Sequence, residues 1–523
     1  MIVPKLEDLT FEQKIGQLFL ARTPKLSAQL AGKLNLSEKD INRLLDQGLV
    51  AGFYAGRDTT PEEIRSYQER SPIPLLIATD IETGAVGYDM SKMTPLPMQM
   101  AMAAFATEKD VYEWAKIAAL ESRDYGFNFA FGPVADLALD PESTLVGLRT
   151  FGDKLERVAT LAAAAVRGYQ DHGVLVSLKH YPGFGASPCD AHLQMNVLDI
   201  SKETFRKREL GVYRRICRKV KLSGVMSGHI YVPSMDKKDC ATTSKKLVSA
   251  LRGAGFDGVL ITDSLAMKGL KLRVDSKYAH QMSLVAGHDM VLSDYNVSPF
   301  TALDHIRETV EKGMISEEQL NLSVARVLEA KRKIFGFNVG PIDRAAHLKI
   351  SERFSARSIT VKGKLPAIPK AKPCLIIVSE EMNRSMVRGE LILDMGYRTP
   401  PETFLKEQYP NARFERISEN PNAETIEKLL DLCVGYEDII FIAYTYPGAY
   451  KGNAHLTRPL IHLVNALAHK IRIFVLFGLP FAAIGLPQLP CIVFGYLGGL
   501  MEKAVYSVLT GERKANGKLP IRM

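Results

Sequence analysis

From the start of the chain to about residue 338, short apolar runs alternate with longer amphipathic stretches. This alternation limits the fold more than any other feature. The runs Val50–Tyr54, Leu75–Asp80, Phe127–Val134, Val174–His180, Gly224–Ile230, Gly258–Asp263 and Asp289–Leu292 have strand length and little polar interruption, as expected of strands buried on both faces. Segments such as Glu108–Tyr125, Lys154–Asp171, Lys202–Lys219, Lys245–Ala254 and Ser316–Ile334 between or after them have helical periodicity. Such alternation predicts a parallel sheet with helices outside. Polar residues close the runs, and in a (β/α) barrel that edge is the active-site face. The expected class is therefore α/β, a TIM-type (β/α) barrel. Seven candidate strands stand against the eight of a complete barrel, so one strand is short or the barrel is irregular. A doubly wound open sheet is the alternative, but no Gly-rich fingerprint follows the first run.

A chain of 523 residues exceeds what one hydrophobic core usually serves. After Ala345 comes a predicted helix, and then Lys364–Pro373, rich in Pro and Lys, reads as a linker. Cys374 opens a second alternating region with expected strands Leu375–Val378, Ile439–Ala443, Ile473–Phe477 and Cys491–Phe494. The expected organisation is a barrel over 1–338, a linker helix and linker over 339–373, and a smaller α/β sandwich domain over 374–523.

The formal charge of +9 is spread along the chain, and clusters such as Arg214–Arg215 and Lys237–Lys238 are short. They read as solvated faces and not as a nucleic-acid surface. The six cysteines, at 189, 217, 240, 374, 433 and 491, have no CxxC spacing, which suggests neither a zinc site nor a disulfide framework. Scattered thiols suit a reducing compartment. Met1–Thr10 has no apolar core behind a basic start, and no apolar run reaches a membrane span. The expectation is a cytoplasmic protein with no membrane partner.

Chemistry concentrates where the runs end, at Asp80, Lys179–His180, His229, Asp263 and Asp294. After Lys179–His180 the segment Tyr181-Pro182-Gly183-Phe184-Gly185-Ala186-Ser187-Pro188 is too rich in Pro and Gly for regular structure, so it forms a loop over the barrel mouth. Asp190 and His192 stand at its far side. In extended backbone positions i and i+2 point the same way, so the carboxylate can meet the imidazole, fix its tautomer and raise its basicity. The same pair could serve structure alone. Asp263 closes a buried strand, where an unpaired carboxylate is costly. It is either functional or an N-cap for the segment beginning at Ser264.

The Lys179–His192 segment resembles the KHFPGxG…D-x-H signature of family 3 glycoside hydrolases, in their β-N-acetylglucosaminidase branch. Other pieces follow in the family's order. Leu9–Leu18 is similar to its LTLEEKIGQL opening, Leu76–Gly84 to its IAIDQEGG strand and Phe131–Asp136 to its FAPVxD turn. Gly147–Gly152 is similar to GxRSFG, Gly258–Met267 to GVIITDALxM and Gly517–Ile521 to the closing GKLPV. The resemblance covers nearly the whole chain. It implies Asp263 as nucleophile and His192, with Asp190, as acid/base. It also implies that Asp80, Arg149, Lys179 and His180 bind the terminal sugar, with His229 and Met267 as further pocket residues.

Two departures fall in one loop: Ala85 and Tyr88 stand where the family has arginines, which questions the usual substrate. The implied activity is retaining exo-hydrolysis of terminal β-linked N-acetylglucosamine, with a carbohydrate as partner and no metal or organic cofactor. Imidazolium can protonate a leaving oxygen, and the neutral ring can then deprotonate water. A neutral base would also tolerate phosphate, so a β-N-acetylglucosaminide phosphorylase is the alternative. A catalytically weak sugar-binding protein is a third reading, motivated by the altered loop.

Overall fold

The structure is a computed structural model that describes residues 2–23, 37–56, 59–84, 93–143, 146–292, 294–380, 400–445 and 455–523. Ala85 and Tyr88 lie outside the described residues.

Eight parallel strands form the first sheet system: β1 Phe19–Arg22, β2 Gly52–Tyr54, β3 Leu76–Thr79, β4 Phe129–Ala130, β5 in two pieces (Leu175–Val176 and Leu178–Tyr181), β6 Gly224–Ser227, β7 Val259–Thr262 and β8 Val291–Leu292. The order runs β8-β1-β2-β3-β4 to the first piece of β5, and from the second piece of β5 through β6 to β7. A parallel bridge from Ile261 to Met290 joins β7 to the residues entering β8. With it the eight strands close into a barrel.

The strand absent from the sequence reading is β1. It is only four residues long, ends on an arginine, and follows the helix Phe11–Gln17 with Leu18 alone between them. Its apolar run therefore merges with the helical one. Other elements differ in extent. The run Phe127–Val134 pairs as a strand only at Phe129–Ala130, and Ser177 splits β5. The helix expected over Lys202–Lys219 is two helices that meet at Arg208.

Leu20, Leu76, Phe129, Leu175, Met226, Val259, Ile261 and Leu292 form a cluster with Val327, Ala330 and Ile334 of the helix Glu317–Phe335. The Lys331 Nζ of that helix donates to Gln17 Oε1 (2.6 Å), just before β1. The helix therefore plugs the N-terminal end of the barrel and leaves the C-terminal end open for a site.

The region expected as linker holds the helix Arg344–Ser358 and then a strand, β9 Thr360–Gly363. This strand pairs antiparallel with Cys491–Phe494, so it belongs to the second sheet. The other strands are β10 Cys374–Glu380, β11 Ala412–Ser418, β12 Ile439–Tyr444, β13 Ile471–Phe477 and β14 Cys491–Tyr496, in the order β9-β14-β13-β12-β10-β11. All pairs except β9–β14 are parallel. β11 escaped the sequence reading because it is a polar edge strand, ARFERIS, with only Ile417 buried.

The second sheet docks on the barrel domain just beyond β14. Met98 N donates to Leu497 O (3.1 Å), Leu500 N to Ser355 Oγ (3.0 Å), and Pro97 bridges Gly498. Among the described residues no helix is long and apolar enough to cross a membrane.

Candidate active site

The C-terminal ends of the barrel strands gather four charged groups into one network. Lys179, near the end of β5, reaches Asp80 Oδ1 (2.6 Å) and Glu82 Oε1 (2.8 Å). Arg149 approaches the same Glu82 with two parallel bonds, Nε to Oε2 and Nη2 to Oε1, both 2.8 Å. Tyr54, the last residue of β2, donates its hydroxyl to Asp80 Oδ2 (2.7 Å). Two carboxylates thus balance two cations, which is how buried charge becomes tolerable. Burial alone would neutralise Glu82, yet Arg149 and Lys179 outweigh it and hold its carboxyl well below the usual range. Burial would likewise push Lys179 down, but Asp80 and Glu82 carry it above its ordinary value. The side chain of Asp80 is 26% exposed, against 3–4% for Lys179 and Glu82. Asp80 is therefore the most exposed member of the network, with Arg149 next at 17%.

His180 is turned by a different carboxylate. Its Nδ1 lies 2.8 Å from Asp136 Oδ2, while its own N–H and that of Phe184 donate to Asp136 Oδ1. Asp136 and Glu82 lie in the segments Phe131–Asp136 and Leu76–Gly84 that carry the family resemblance, and the sequence by itself gives neither a role. Each is a carboxylate in the segment that follows a barrel strand, Glu82 after β3 and Asp136 after β4.

Asp263 directly follows β7. Its N–H donates to Ser227 O (2.9 Å) and its Oδ1 accepts from the Ser264 N–H (2.7 Å). No helix starts at Ser264; the next one is Lys268–Lys271. The N-cap reading of Asp263 is thereby set aside. Burial pushes the Asp263 carboxyl up, but His180, His229, the Ser264 N–H and His192 together pull it below its ordinary value. It is held as a carboxylate among imidazoles, the ionised form that a nucleophile requires.

His192 Nδ1 sits 2.8 Å from Asp190 Oδ1. The pairing does not come from extended backbone. The His192 N–H also bonds Asp190 Oδ1 (2.8 Å), and the Leu193 and Gln194 N–H groups bond Asp190 O. Asp190 folds the chain back on itself in an Asx-type turn, which brings ring and carboxylate together. Asp190 is buried, whereas His192 is 29% exposed, as suits a proton donor at a mouth.

Two further expected pocket residues are enclosed by the protein. His229 is wholly buried, with Nδ1 on Thr242 Oγ1 (2.7 Å) and Nε2 on Ser264 O (2.8 Å). Both ring nitrogens are spent inside the protein, so His229 braces the Asp263–Ser264 turn and has no nitrogen for a sugar hydroxyl. Met267 is buried in the hydrophobic core. Asp294, also at a strand end, caps structure by accepting from Lys271, Ser276 and Asn296. Among the described residues, no group of three His, Cys, Asp or Glu side chains is placed to hold a metal ion.

A closed parallel barrel with an anionic carboxylate, a carboxylate-held imidazole and a partly buried charge network at its C-terminal mouth fits the class of barrel glycosidases. The comparisons name the family. The description "Glycosyl hydrolase family 3 N terminal domain" matches residues 10–330, more than half of the chain, and the chain belongs to glycoside hydrolase family 3. It is 28% identical over 395 residues to a beta-N-acetylglucosaminidase/beta-glucosidase of Cellulomonas fimi, covering 72% of this chain and 67% of that one. It is 30% identical over 268 residues to a beta-hexosaminidase of Mycobacterium tuberculosis, covering 50% and 69%. Among solved structures, a family 3 beta-N-acetylglucosaminidase from Paenibacillus sp. str. FPU-7 matches with TM-score 0.83 at 26% identity over 98% of this chain and 99% of that one. A beta-glucoside phosphorylase matches with TM-score 0.82 at 23% identity over 99% and 95%, a likeness of fold alone.

Proposed function

We propose that this family 3 enzyme is a retaining exo-glycosidase that removes terminal β-linked N-acetylglucosamine. The observation that carries the mechanism is the Asp190–His192 clasp on a loop that is tied, through the Gly269 N–H on Ala191 O, to the segment just after Asp263. Asp263 attacks the anomeric carbon while the His192 imidazolium protonates the departing glycosidic oxygen, giving a glycosyl-aspartate. Water then attacks the same carbon, neutral His192 takes its proton, and the Asp263 carboxylate departs. Two inversions leave the configuration retained. Nδ1 is engaged by Asp190, so the proton moves through Nε2, and the Asp190 charge steadies the imidazolium. Asp80, Arg149, Lys179 and His180 hold the terminal sugar. The substrate assignment draws on the named activities of the Cellulomonas and Paenibacillus relatives.

One observation favours a second reading. An imidazole in place of an acid/base carboxylate does not repel phosphate, so the same residues would support phosphorolysis. A panel of aryl β-glycosides, with and without phosphate, decides both points. Hydrolysis of the N-acetylglucosaminide is expected, and a sugar 1-phosphate as main product would favour the phosphorylase. A 2-fluoro glycoside is expected to label Asp263 in a peptide map. His192→Ala is expected to slow substrates with poor leaving groups by ~10²–10⁴-fold and to spare nitrophenyl glycosides. Uniform losses would remove His192 from the acid/base role.

A further inference from the structure

The loop that carries Asp190 and His192 has no ladder of its own between Pro182 and Met195, yet its end is tethered from inside the protein. Asn196 is wholly buried. It opens the two-residue strand Asn196–Val197, paired in parallel with Ile230–Tyr231 just beyond β6. With the amide oriented to satisfy its neighbours, the Asn196 NH2 donates to Cys189 O (2.9 Å) and Ser187 Oγ (2.8 Å). Its oxygen accepts from the Ala191 N–H (3.3 Å). These partners bracket Asp190 on both sides. On the other flank lies Gly269, in the short helix after Asp263. Its N–H meets Ala191 O (3.3 Å), and a Cβ there would stand 2.7 Å from Ala191 O and 2.6 Å from Gln194 O. The loop is held between a buried amide and a glycine backbone.

We propose that Asn196 is the positioning residue of the acid/base pair, an inference that rests on the roles given above to Asp263 and His192. The Asx-type turn at Asp190 works only while the peptide planes on either side of Asp190 are fixed. Asn196 grips both, through the Cys189 carbonyl and the Ala191 N–H. Without that grip the imidazole drifts from the glycosidic oxygen while Asp263, held by β7 and Ser227, stays in place. The damage falls on proton donation and spares nucleophilic attack.

The test separates those two steps. Asn196→Ala is expected to lower kcat/KM for an alkyl β-N-acetylglucosaminide by up to ~100-fold, the scale of a small misplacement. A dinitrophenyl glycoside, whose leaving group needs no proton, should stay within about threefold. Labelling of Asp263 by a 2-fluoro dinitrophenyl glycoside should proceed at the wild-type rate. Asn196→Asp keeps the size but sets an oxygen against the Cys189 carbonyl, so it should fail to restore the alkyl substrate. Ser187→Ala removes a single partner and should show the same selective loss at about threefold to tenfold; it carries the test if Asn196→Ala does not fold. Equal losses on both substrates, or no loss on either, overturn the proposal. Absence of label on Asp263 in the wild type overturns the functional reading itself, and the proposal with it.

Discussion

The C-terminal ends of the barrel strands present Tyr54, Lys179, His180 and Asp263, whereas those of the second sheet present Tyr444, Phe477 and Tyr496. Both sheets are built from parallel strands, and strand ends are where α/β proteins usually place their sites. The two edges are filled by different chemistry. At the barrel mouth, ionisable groups converge and shift one another. At the second edge, Tyr444 stacks on Phe477 with centroids 4.7 Å apart, and its hydroxyl donates to buried Glu502 (3.0 Å). The backbone just past β14 is spent on docking against Pro97 and Met98. A strand end is an opportunity, and what makes a site of it is convergence of charged side chains that are kept from satisfying one another completely.

The strongest test of this contrast is Asp263→Asn. It should cut kcat by about a thousandfold or more while the fold stays intact by circular dichroism, because the amide still accepts from the Ser264 N–H. Retained turnover would break the claim that the mouth is the site.

Glu82→Gln should cost both function and stability. It leaves Arg149 and Lys179 facing each other without their shared counter-charge, and breaking a buried pair costs about 3–5 kcal/mol. The pH dependence has a definite sign. The folded pKa of Glu82 is depressed, so its stabilisation is present above the unfolded value of about 4.3 and is lost as pH falls through the lower folded value. Denaturant titrations from pH 7 down to pH 3 should show the wild-type advantage over the variant shrinking. A constant gap would show that the charge does not contribute.

At the opposite end of the barrel the same physics stabilises nothing. Lys331 is fully buried with Gln17 as its hydrogen-bond partner, and burial pushes its ammonium down to about 7. The unfolded chain holds that proton up to about pH 10.4, so stability rises with pH across roughly 7 to 10. Lys331→Met should raise stability by about 1–3 kcal/mol at pH 6, and the gain should fade toward pH 10. A destabilised variant at pH 6 would mean that Lys331 is properly paired.

The smallest effect is expected at the second sheet. Tyr444→Phe removes the hydroxyl that bonds Glu502 and lies against the Tyr506 hydroxyl, a loss of about 0.5–1.5 kcal/mol per hydrogen bond, and should leave kcat/KM within twofold. A tenfold loss of activity would show that this edge contributes to the site and would erase the contrast.

Much of this protein is legible without coordinates, and the reason is periodicity. Barrel strands buried on both faces leave apolar runs that end in polar residues, so seven of the eight could be read, as could Asp263 and the Asp190–His192 loop. Short range suffices there, because the partners are close in sequence or each group marks its own strand end. β1 was hidden because its apolar run merges with that of the helix before it, and β9, TVKG, because it is a mostly exposed edge strand with no apolar run at all. The pairing of Glu82 with Arg149 and Lys179, and of His180 with Asp136, spans tens of residues. No local pattern encodes such distances; only barrel closure brings the groups within hydrogen-bond reach. His229 shows the limit in the other direction. Its place at a strand end looks functional in the sequence, and only the packed structure shows Thr242 and Ser264 already holding both nitrogens. Which residues stand at the mouth is written along the chain. Which are left able to act there depends on which partners the fold has already supplied.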